Sequence, residues 1–192
     1  MKPYRPSFRA ACLALLLCAA GSASASPLAN QAVGQIDLQR YSGLWYEIAH
    51  LPMYFQRMCT SDITATYTVQ ADGRIAVRNR CRTEDGSFRQ ADGQARSQPG
   101  GNARLEVRFA PGWLSWLPWA WADYWVIALD PEYRWAMVGG PKAQNLWILS
   151  RTPEMAPQTY QALVEQARRM GYPVQGLLQA PHTHGQLPAS PD

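Results

Sequence analysis

The chain has 192 residues, of which 47% are hydrophobic and 17% are charged, and this length suits a single domain with one core. The net charge of +4 falls to +1 once residues 1–25, which hold three basic side chains and no acidic one, are set aside. The remaining arginines are scattered singly, which excludes the clustered basic face that a nucleic-acid-binding protein needs.

Residues 1–25 have the three parts of a secretion signal. A basic start is followed by an apolar run from about residue 10 to residue 20 and by a small-residue cleavage site, Ala23-Ser24-Ala25. The apolar run is too short to cross a bilayer as a helix. We therefore expect the mature protein to begin near residue 26 and to be exported as a soluble periplasmic protein.

From residue 60 to residue 152, short runs of alternating apolar and polar side chains are separated by turn residues, as in an antiparallel barrel or sandwich. One strand face carries Ile63, Ala65, Tyr67 and Val69. A turn at 71–73 then predicts that Val77 of the next strand lies opposite Tyr67. Later strands place Leu105, Val107 and Phe109 on the inner face, and residues 146–150 supply the eighth strand counted from Trp45.

The period changes after Pro153. Apolar residues recur at helical spacing after Pro157, at Tyr160, Leu163, Val164, Ala167 and Met170, and Gly171 follows as a stop signal. We predict one helix packed against the outside of the strands. Residues 180–192, which contain three prolines, are predicted to form a disordered tail.

Two motifs carry a family resemblance: Gly43-Leu44-Trp45-Tyr46-Glu47-Ile48-Ala49, and the run from Leu146 to Pro153 followed by one helix. Over roughly residues 36 to 178 the chain resembles the lipocalins, in particular the bacterial outer-membrane lipocalins related to apolipoprotein D. The resemblance implies an all-β fold. This is an eight-stranded, antiparallel, up-and-down β-barrel with one C-terminal helix outside it, formed by residues 26–179.

The resemblance also implies structural roles for four residues. Gly43 permits a close approach or kink in the first strand, and Trp45 pairs with Arg151 at the closed end of the barrel. Asp130 is the retained aspartate of the family's middle motif, although the tyrosine of that motif is displaced to Tyr133.

The mature chain keeps two cysteines, Cys59 and Cys81, for which one disulfide in an oxidising compartment or two free thiols are the alternatives. The hairpin register leaves Cys59 about 13 Å of strand beyond the residue opposite Cys81. We favour the disulfide and expect the chain before Ile63 to bend back or bulge.

Cys18 offers a second route to the cell envelope. Related bacterial lipocalins are often anchored through a lipidated cysteine at the end of the signal, so an outer-membrane lipoprotein anchored at Cys18 is the alternative location. Leu17 departs from that pattern because lipoprotein processing favours a small residue before the cysteine.

The resemblance implies a carrier that stores or transports a small amphiphilic lipid, a fatty acid or a lysophospholipid, with no cofactor. We assign the barrel wall to Tyr67, Val77, Leu105, Val107, Phe109 and Trp147. We assign the rim to Tyr54, Phe55, Trp116, Trp121 and Tyr124.

The sequence offers little support for a catalytic or a metal-binding function. It has neither a Gly-x-Ser-x-Gly nucleophile motif nor a glycine-rich phosphate loop, so we predict that it is not an enzyme. His182 and His184 form a weak metal motif in the predicted tail, and we assign no metal site. His50 lies where the resemblance places the barrel mouth, and its alternatives are a haem or proton ligand and an ordinary loop residue.

A tryptophan-rich segment at residues 111–125 contains five tryptophans interrupted by Pro111, Gly112 and Pro118. The alternative function is therefore a docking module in which this loop contacts a membrane or a protein partner and the filled barrel is a scaffold. A homodimer would most readily form through the same loop.

Overall fold

A computed structural model of the protein describes residues 26–109 and 121–183. The strands are β1 (Gly43–His50), β2 (Ser61–Val69), β3 (Ile75–Arg82), β4 (Phe88–Gln98), β5 (Gly101–Arg108), β6 (Ala122–Leu129), β7 (Trp135–Gly139), β8 (Trp147–Ser150) and β9 (Leu178–Gln179). The α-helices are α1 (Leu38–Tyr41) and α2 (Pro157–Arg169), and short 3-10 turns cover Tyr54–Gln56 and Val174–Gly176.

The first eight strands form a closed antiparallel barrel in which each strand pairs with its neighbour in sequence. Closure comes from β1, which pairs with β2 at one side and with β8 at the other. The predicted register of the β2–β3 hairpin is confirmed, because Tyr67 is paired with Val77. The predicted fold is therefore confirmed, with one addition: the short strand β9 pairs with the end of β1.

Two apolar clusters lie on the two sides of the barrel wall. The inner cluster includes Trp45, Val77, Leu105 and Val126. The outer cluster packs Leu163 and Ala167 of α2 against the wall residues Ile127, Met137 and Ile148. Alternation along each strand separates the two sets, so the helix covers the outside as its spacing predicted.

One end of the barrel is closed by α1 and the residues that follow it. The Asp37 side chain accepts hydrogen bonds from the backbone N–H groups of Gln39 and Arg40 and so begins the short helix. Tyr41 is buried at its end, and the indole N–H of Trp45 donates to the Tyr41 carbonyl (2.7 Å). These contacts fill the closed end with aromatic side chains.

The Cys59–Cys81 disulfide is present, with Cα atoms 5.5 Å apart. The expected bend is a bulge between Ser61 and Thr64, where Asp62 adopts a positive φ of 52°. The chain before it turns at Tyr54–Gln56, and the N–H of Cys59 donates to the carbonyl of Gln56. The bulge and the turn together bring Cys59 back to Cys81.

Residues 180–183, which the sequence places in a disordered tail, are hydrogen-bonded between β1 and β2. The N–H of Ala180 donates to Ile48 (3.0 Å), and the N–H of Asp62 donates to Pro181 (2.9 Å). The N–H and hydroxyl of Thr183 both donate to the Asp62 carboxylate. Because β2 pairs with β1 only as far as Thr64, this segment completes the wall where those strands separate.

No helix within residues 26–109 and 121–183 is long and apolar enough to cross a membrane. The predicted signal (1–25), Trp113, Trp116, Trp119 and the tail beyond residue 183 lie outside the described residues.

Candidate ligand site

Three tyrosines meet inside the barrel. The Tyr124 hydroxyl oxygen lies 2.9 Å from that of Tyr41 and 2.8 Å from that of Tyr67, and all three side chains are buried. Burial raises the pKa of each phenol, and for Tyr67 the nearby Glu47 charge adds to the effect. Three hydroxyl protons serve two hydrogen bonds, so one proton remains available to a ligand or a water molecule.

A second polar chain runs from Trp147 towards the mouth. Trp147 stacks on Tyr124 at 6.4 Å between ring centroids, and its N–H donates to the side-chain carbonyl of Gln56 (3.1 Å). The amide of Gln56 donates to both carboxylate oxygens of Glu47 (2.9 and 3.1 Å). His50 Nδ1 lies 2.6 Å from Glu47 Oε1 but makes no hydrogen bond, so hydrogen bonds connect three side chains and the imidazole lies against their carboxylate end.

A β-bulge places Glu47 and His50 on the same side of β1. Residues 47 and 50 would face opposite sides of a regular strand. The pairing of β1 with β8 shifts between Glu47 and Ala49, so Ala49 joins the outer cluster and His50 turns towards Glu47. The two side chains are only 7% and 8% exposed. The bulge therefore creates a buried acid–imidazole pair.

A cavity of about 330 Å³ opens at the mouth beside this network. It lies between the 3-10 turn after β1, the start of β2 and the C-terminal segment. The lining residues are His50, Pro52, Met53, Tyr54, Gln56, Arg57, Cys59, Thr60, Ile63, Leu178, Gln179 and Ala180. The size lies within the range of small-molecule sites, and the lining combines apolar side chains with a few polar ones.

Most of the predicted wall residues face the barrel interior. Tyr67, Val77 and Leu105 are buried in the inner cluster, and Val107 and Trp147 pack against it half-buried. At the predicted rim, Tyr54 and Phe55 are exposed, and Tyr54 lines the mouth cavity. Trp116 falls outside the described residues.

Three predicted site residues lie elsewhere than the sequence placed them. Tyr124 is 8% exposed and is the centre of the tyrosine cluster, because β6 begins at Ala122 and carries it inside the barrel. Phe109 is 41% exposed because β5 ends at Arg108, where the strand alternation stops. Trp121 lies against Arg96 (4.0 Å) and Arg108 (5.0 Å), on the outer face of the wall.

Sequence reasoning missed Glu47 and Gln56, and it did not place His50 against the Glu47 carboxylate. A signal for Glu47 was present: it follows Trp45 by two residues and so shares the inner face of a largely apolar strand. The bulge that turns His50 inwards and the return of Leu178–Ala180 to the mouth depend on tertiary pairing, and local spacing does not encode them.

The network is suited to binding. In the described part of the chain, no group of three or more histidine, cysteine, aspartate or glutamate side chains is arranged to hold a metal ion. The mouth cavity, which combines apolar lining side chains with the polar side chains of His50 and Gln56, is of a size to hold a small molecule.

The chain is similar in sequence to one family model and to several known proteins. Residues 36–182 match the family model described as a lipocalin-like domain. The chain is 38% identical over 160 residues to temperature-induced lipocalin-1 of Arabidopsis thaliana, covering 80% of this chain and 83% of that protein. It is 37% identical over 166 residues to the outer membrane lipoprotein Blc of Escherichia coli, covering 86% and 90%. Rat apolipoprotein D is 34% identical over 64% of this chain and 65% of that protein.

Solved structures support the same fold. Insecticyanin from the tobacco hornworm Manduca sexta superimposes with a TM-score of 0.61 at 17% identity, covering 83% of this chain and 87% of that chain. The cockroach allergen Per a 4 gives a TM-score of 0.62 at 16% identity, covering 83% and 96%.

Proposed function

Since this chain belongs to the lipocalin family, whose members are generally binding and transport proteins, we propose that it carries one fatty acid or lysophospholipid in the bacterial cell envelope. The acyl chain would lie in the barrel against Trp147 and Leu105, and the head group would lie at the mouth. Family membership supports binding of a small hydrophobic ligand. The choice of lipid and the location are our own inference.

One observation carries the proposal: the mouth cavity lies beside a polar network that ends on Trp147, an aromatic residue packed against the inner cluster. An amphiphile needs polar groups near the mouth for its head and apolar groups deeper in the barrel for its chain. Each buried methylene contributes about 0.8 kcal/mol, so a long acyl chain provides most of the affinity.

For the location, we propose export through the signal at residues 1–25. The oxidising compartment that follows would form the Cys59–Cys81 disulfide. The Escherichia coli relative is an outer membrane lipoprotein by name, so lipidation at Cys18 is the alternative. Metabolic labelling with an alkyne fatty acid distinguishes the two, because label that disappears in Cys18→Ser indicates an anchor.

The carrier function is tested by displacement of a fluorescent fatty acid from the wild type and from Trp147→Ala. We expect at least a fivefold loss of affinity, since the indole packs against the inner cluster and orders Gln56. Trp135→Ala is the matched control, because Trp135 is also half-buried but packs against the outer cluster. Equal affinity for the wild type and Trp147→Ala would remove Trp147 from the site.

The docking alternative predicts different effects of substitutions on vesicle association and on fatty-acid affinity. Replacing Trp113 and Trp116 with serine would abolish association with phospholipid vesicles while leaving fatty-acid affinity unchanged. A barrel that binds no fatty acid but does bind vesicles would make docking the main function.

A further inference from the structure

We propose that residues 178–183 form a movable strap that closes a side opening between β1 and β2, and that the ligand enters and leaves the barrel through this opening. The strap comprises β9 and the four residues that follow it. The inference rests on the proposed carrier function and adds to it the route that the ligand takes.

The strap fills a place where β1 and β2 are not paired with each other. Their register ends where Tyr46 lies opposite Thr64. Beyond that point, backbone hydrogen bonds of 3.0 and 2.9 Å join the strap to Ile48 on β1 and to Asp62 on β2. The two strands are therefore connected there through the strap.

Polar contacts provide most of what holds the strap in place. Ala180 is its one buried residue. At the end of the strap, the N–H and the hydroxyl of Thr183 donate to the Asp62 carboxylate (2.7–2.9 Å), and His182 Nε2 lies 2.8 Å from the Glu47 carbonyl oxygen. A segment with so few apolar contacts opens at a lower free energy than the whole domain.

Both edges of the opening are fixed by other contacts. The Cys59–Cys81 disulfide ties the chain before β2 to β3, and Arg82 Nε donates to the Asp62 carboxylate (2.8 Å). On the other side, Ala49 of β1 is buried in the outer cluster and pairs with β8. Release of the strap would therefore leave the two edges in place with a gap between them.

The opening leads to the mouth cavity. The strap contributes Leu178, Gln179 and Ala180 to the cavity lining, so its release removes one wall. Gln56, in the same lining, accepts a hydrogen bond from Trp147, which packs against the inner cluster. A ligand that passes the strap thus arrives beside Trp147, the residue proposed to contact its acyl chain.

A gating segment and a binding residue have different kinetic effects. Where a segment must open before the ligand passes, the association and dissociation rate constants both scale with the fraction of molecules in the open state. Loosening the strap should therefore raise both rate constants by the same factor and leave the dissociation constant unchanged.

The key variant is Thr183→Val, which removes a hydroxyl bound to the Asp62 carboxylate and lies outside the cavity lining. Stopped-flow measurements with cis-parinaric acid, a naturally fluorescent fatty acid, should show both rate constants raised about tenfold, because a hydrogen bond to a charged group is lost from the closed state. Thr83→Val is the matched control, since the Thr83 hydroxyl also donates to a carboxylate, that of Asp85 (2.6 Å), in the β3–β4 turn. It should change neither rate constant.

Hydrogen exchange measures the opening without any ligand. The amide hydrogens of Asp62 and Ala180, which bond across the edges of the strap, should exchange faster than those of the paired part of β2 and β3. Thr183→Val should accelerate their exchange about tenfold and leave the hairpin amides unchanged. Exchange of these two amides only through global unfolding would show that the strap does not open by itself and would overturn the inference.

The kinetic outcomes separate the strap from the carrier function. Unchanged rate constants in Thr183→Val, or a changed dissociation constant, would overturn the gating role and leave the carrier function standing. If the wild type does not bind cis-parinaric acid at all, the carrier function fails and the gating role fails with it.

Discussion

The guanidinium of Arg151 lies over the indole of Trp45, with its central carbon 3.8 Å from the ring centroid. Arg151 also donates hydrogen bonds to the backbone carbonyls of Arg40, Tyr41, Leu44 and Tyr133. One side chain thereby joins α1, the start of β1 and the β6–β7 turn. Without Arg151, each of these four carbonyls at the closed end of the barrel would lose a hydrogen-bond donor.

Replacing Arg151 with methionine should therefore lower the free energy of unfolding by about 2–4 kcal/mol. The methionine retains some apolar contact with Trp45 but provides no donor. Urea unfolding followed by tryptophan fluorescence measures the change. Arg168→Met, on the exposed side of α2, is the control and should change stability by no more than about 0.5 kcal/mol.

The tyrosine cluster predicts an order of stability between two conservative variants. Tyr124→Phe removes the central hydroxyl and leaves the buried hydroxyls of Tyr41 and Tyr67 without their partner. It should therefore lower the free energy of unfolding by about 1–3 kcal/mol. Tyr41→Phe leaves the Tyr67–Tyr124 hydrogen bond in place and should cost less. Denaturant titrations of both variants decide the matter, and equal costs would show that the hydroxyls act independently.

The disulfide predicts a redox-dependent stability. On the chain-entropy model, a bridge between residues 22 apart contributes about 3 kcal/mol. Urea unfolding of the mature protein should therefore shift to lower urea concentration in the presence of dithiothreitol. The Cys59→Ser, Cys81→Ser double variant should unfold at the lower concentration with or without the reductant, and a reductant effect on that variant would contradict this explanation.

Asp130 predicts a component of acid stability. Hydrogen bonds from the Arg134 side chain hold the pKa of the Asp130 carboxyl at about 2, below its ordinary value of 3.8. The folded state thus keeps the carboxylate ionised where the unfolded chain is protonated. Its contribution is complete above about pH 4 and is lost as the pH falls towards 2.

The stability difference between wild type and Asp130→Asn should accordingly narrow between pH 4 and pH 2. Urea unfolding at several pH values in this interval measures it. A difference that stays constant across the interval would mean that the aspartate acts through its turn geometry alone.

Features that depend on neighbouring residues could be predicted from the sequence, whereas features that depend on pairing between distant segments could not. Strand alternation and turn residues predicted an antiparallel barrel or sandwich and the pairing of Tyr67 with Val77, because both depend on neighbouring residues. The closed eight-stranded barrel was implied by the family resemblance. Tyr124 was misplaced because the start of β6 is set by pairing with β5. The sequence pattern contains no signal for that boundary.

At the mouth, the contacts depend even more on segments that are distant in the sequence. His50 reaches Glu47 through a bulge imposed by pairing with β8, and Leu178 reaches the cavity after the chain has passed around α2. Both are long-range consequences of the closed barrel. The polar part of the site therefore could not be found from local pattern alone.

The most direct test of the lipid-carrier account is native mass spectrometry of the protein expressed with residues 1–25 and purified gently from the cell envelope. Anything released on denaturation is then identified. The account predicts a mass excess that resolves into one fatty acid or lysophospholipid for each chain. A protein that is empty as isolated, and remains empty after incubation with such lipids, would contradict it.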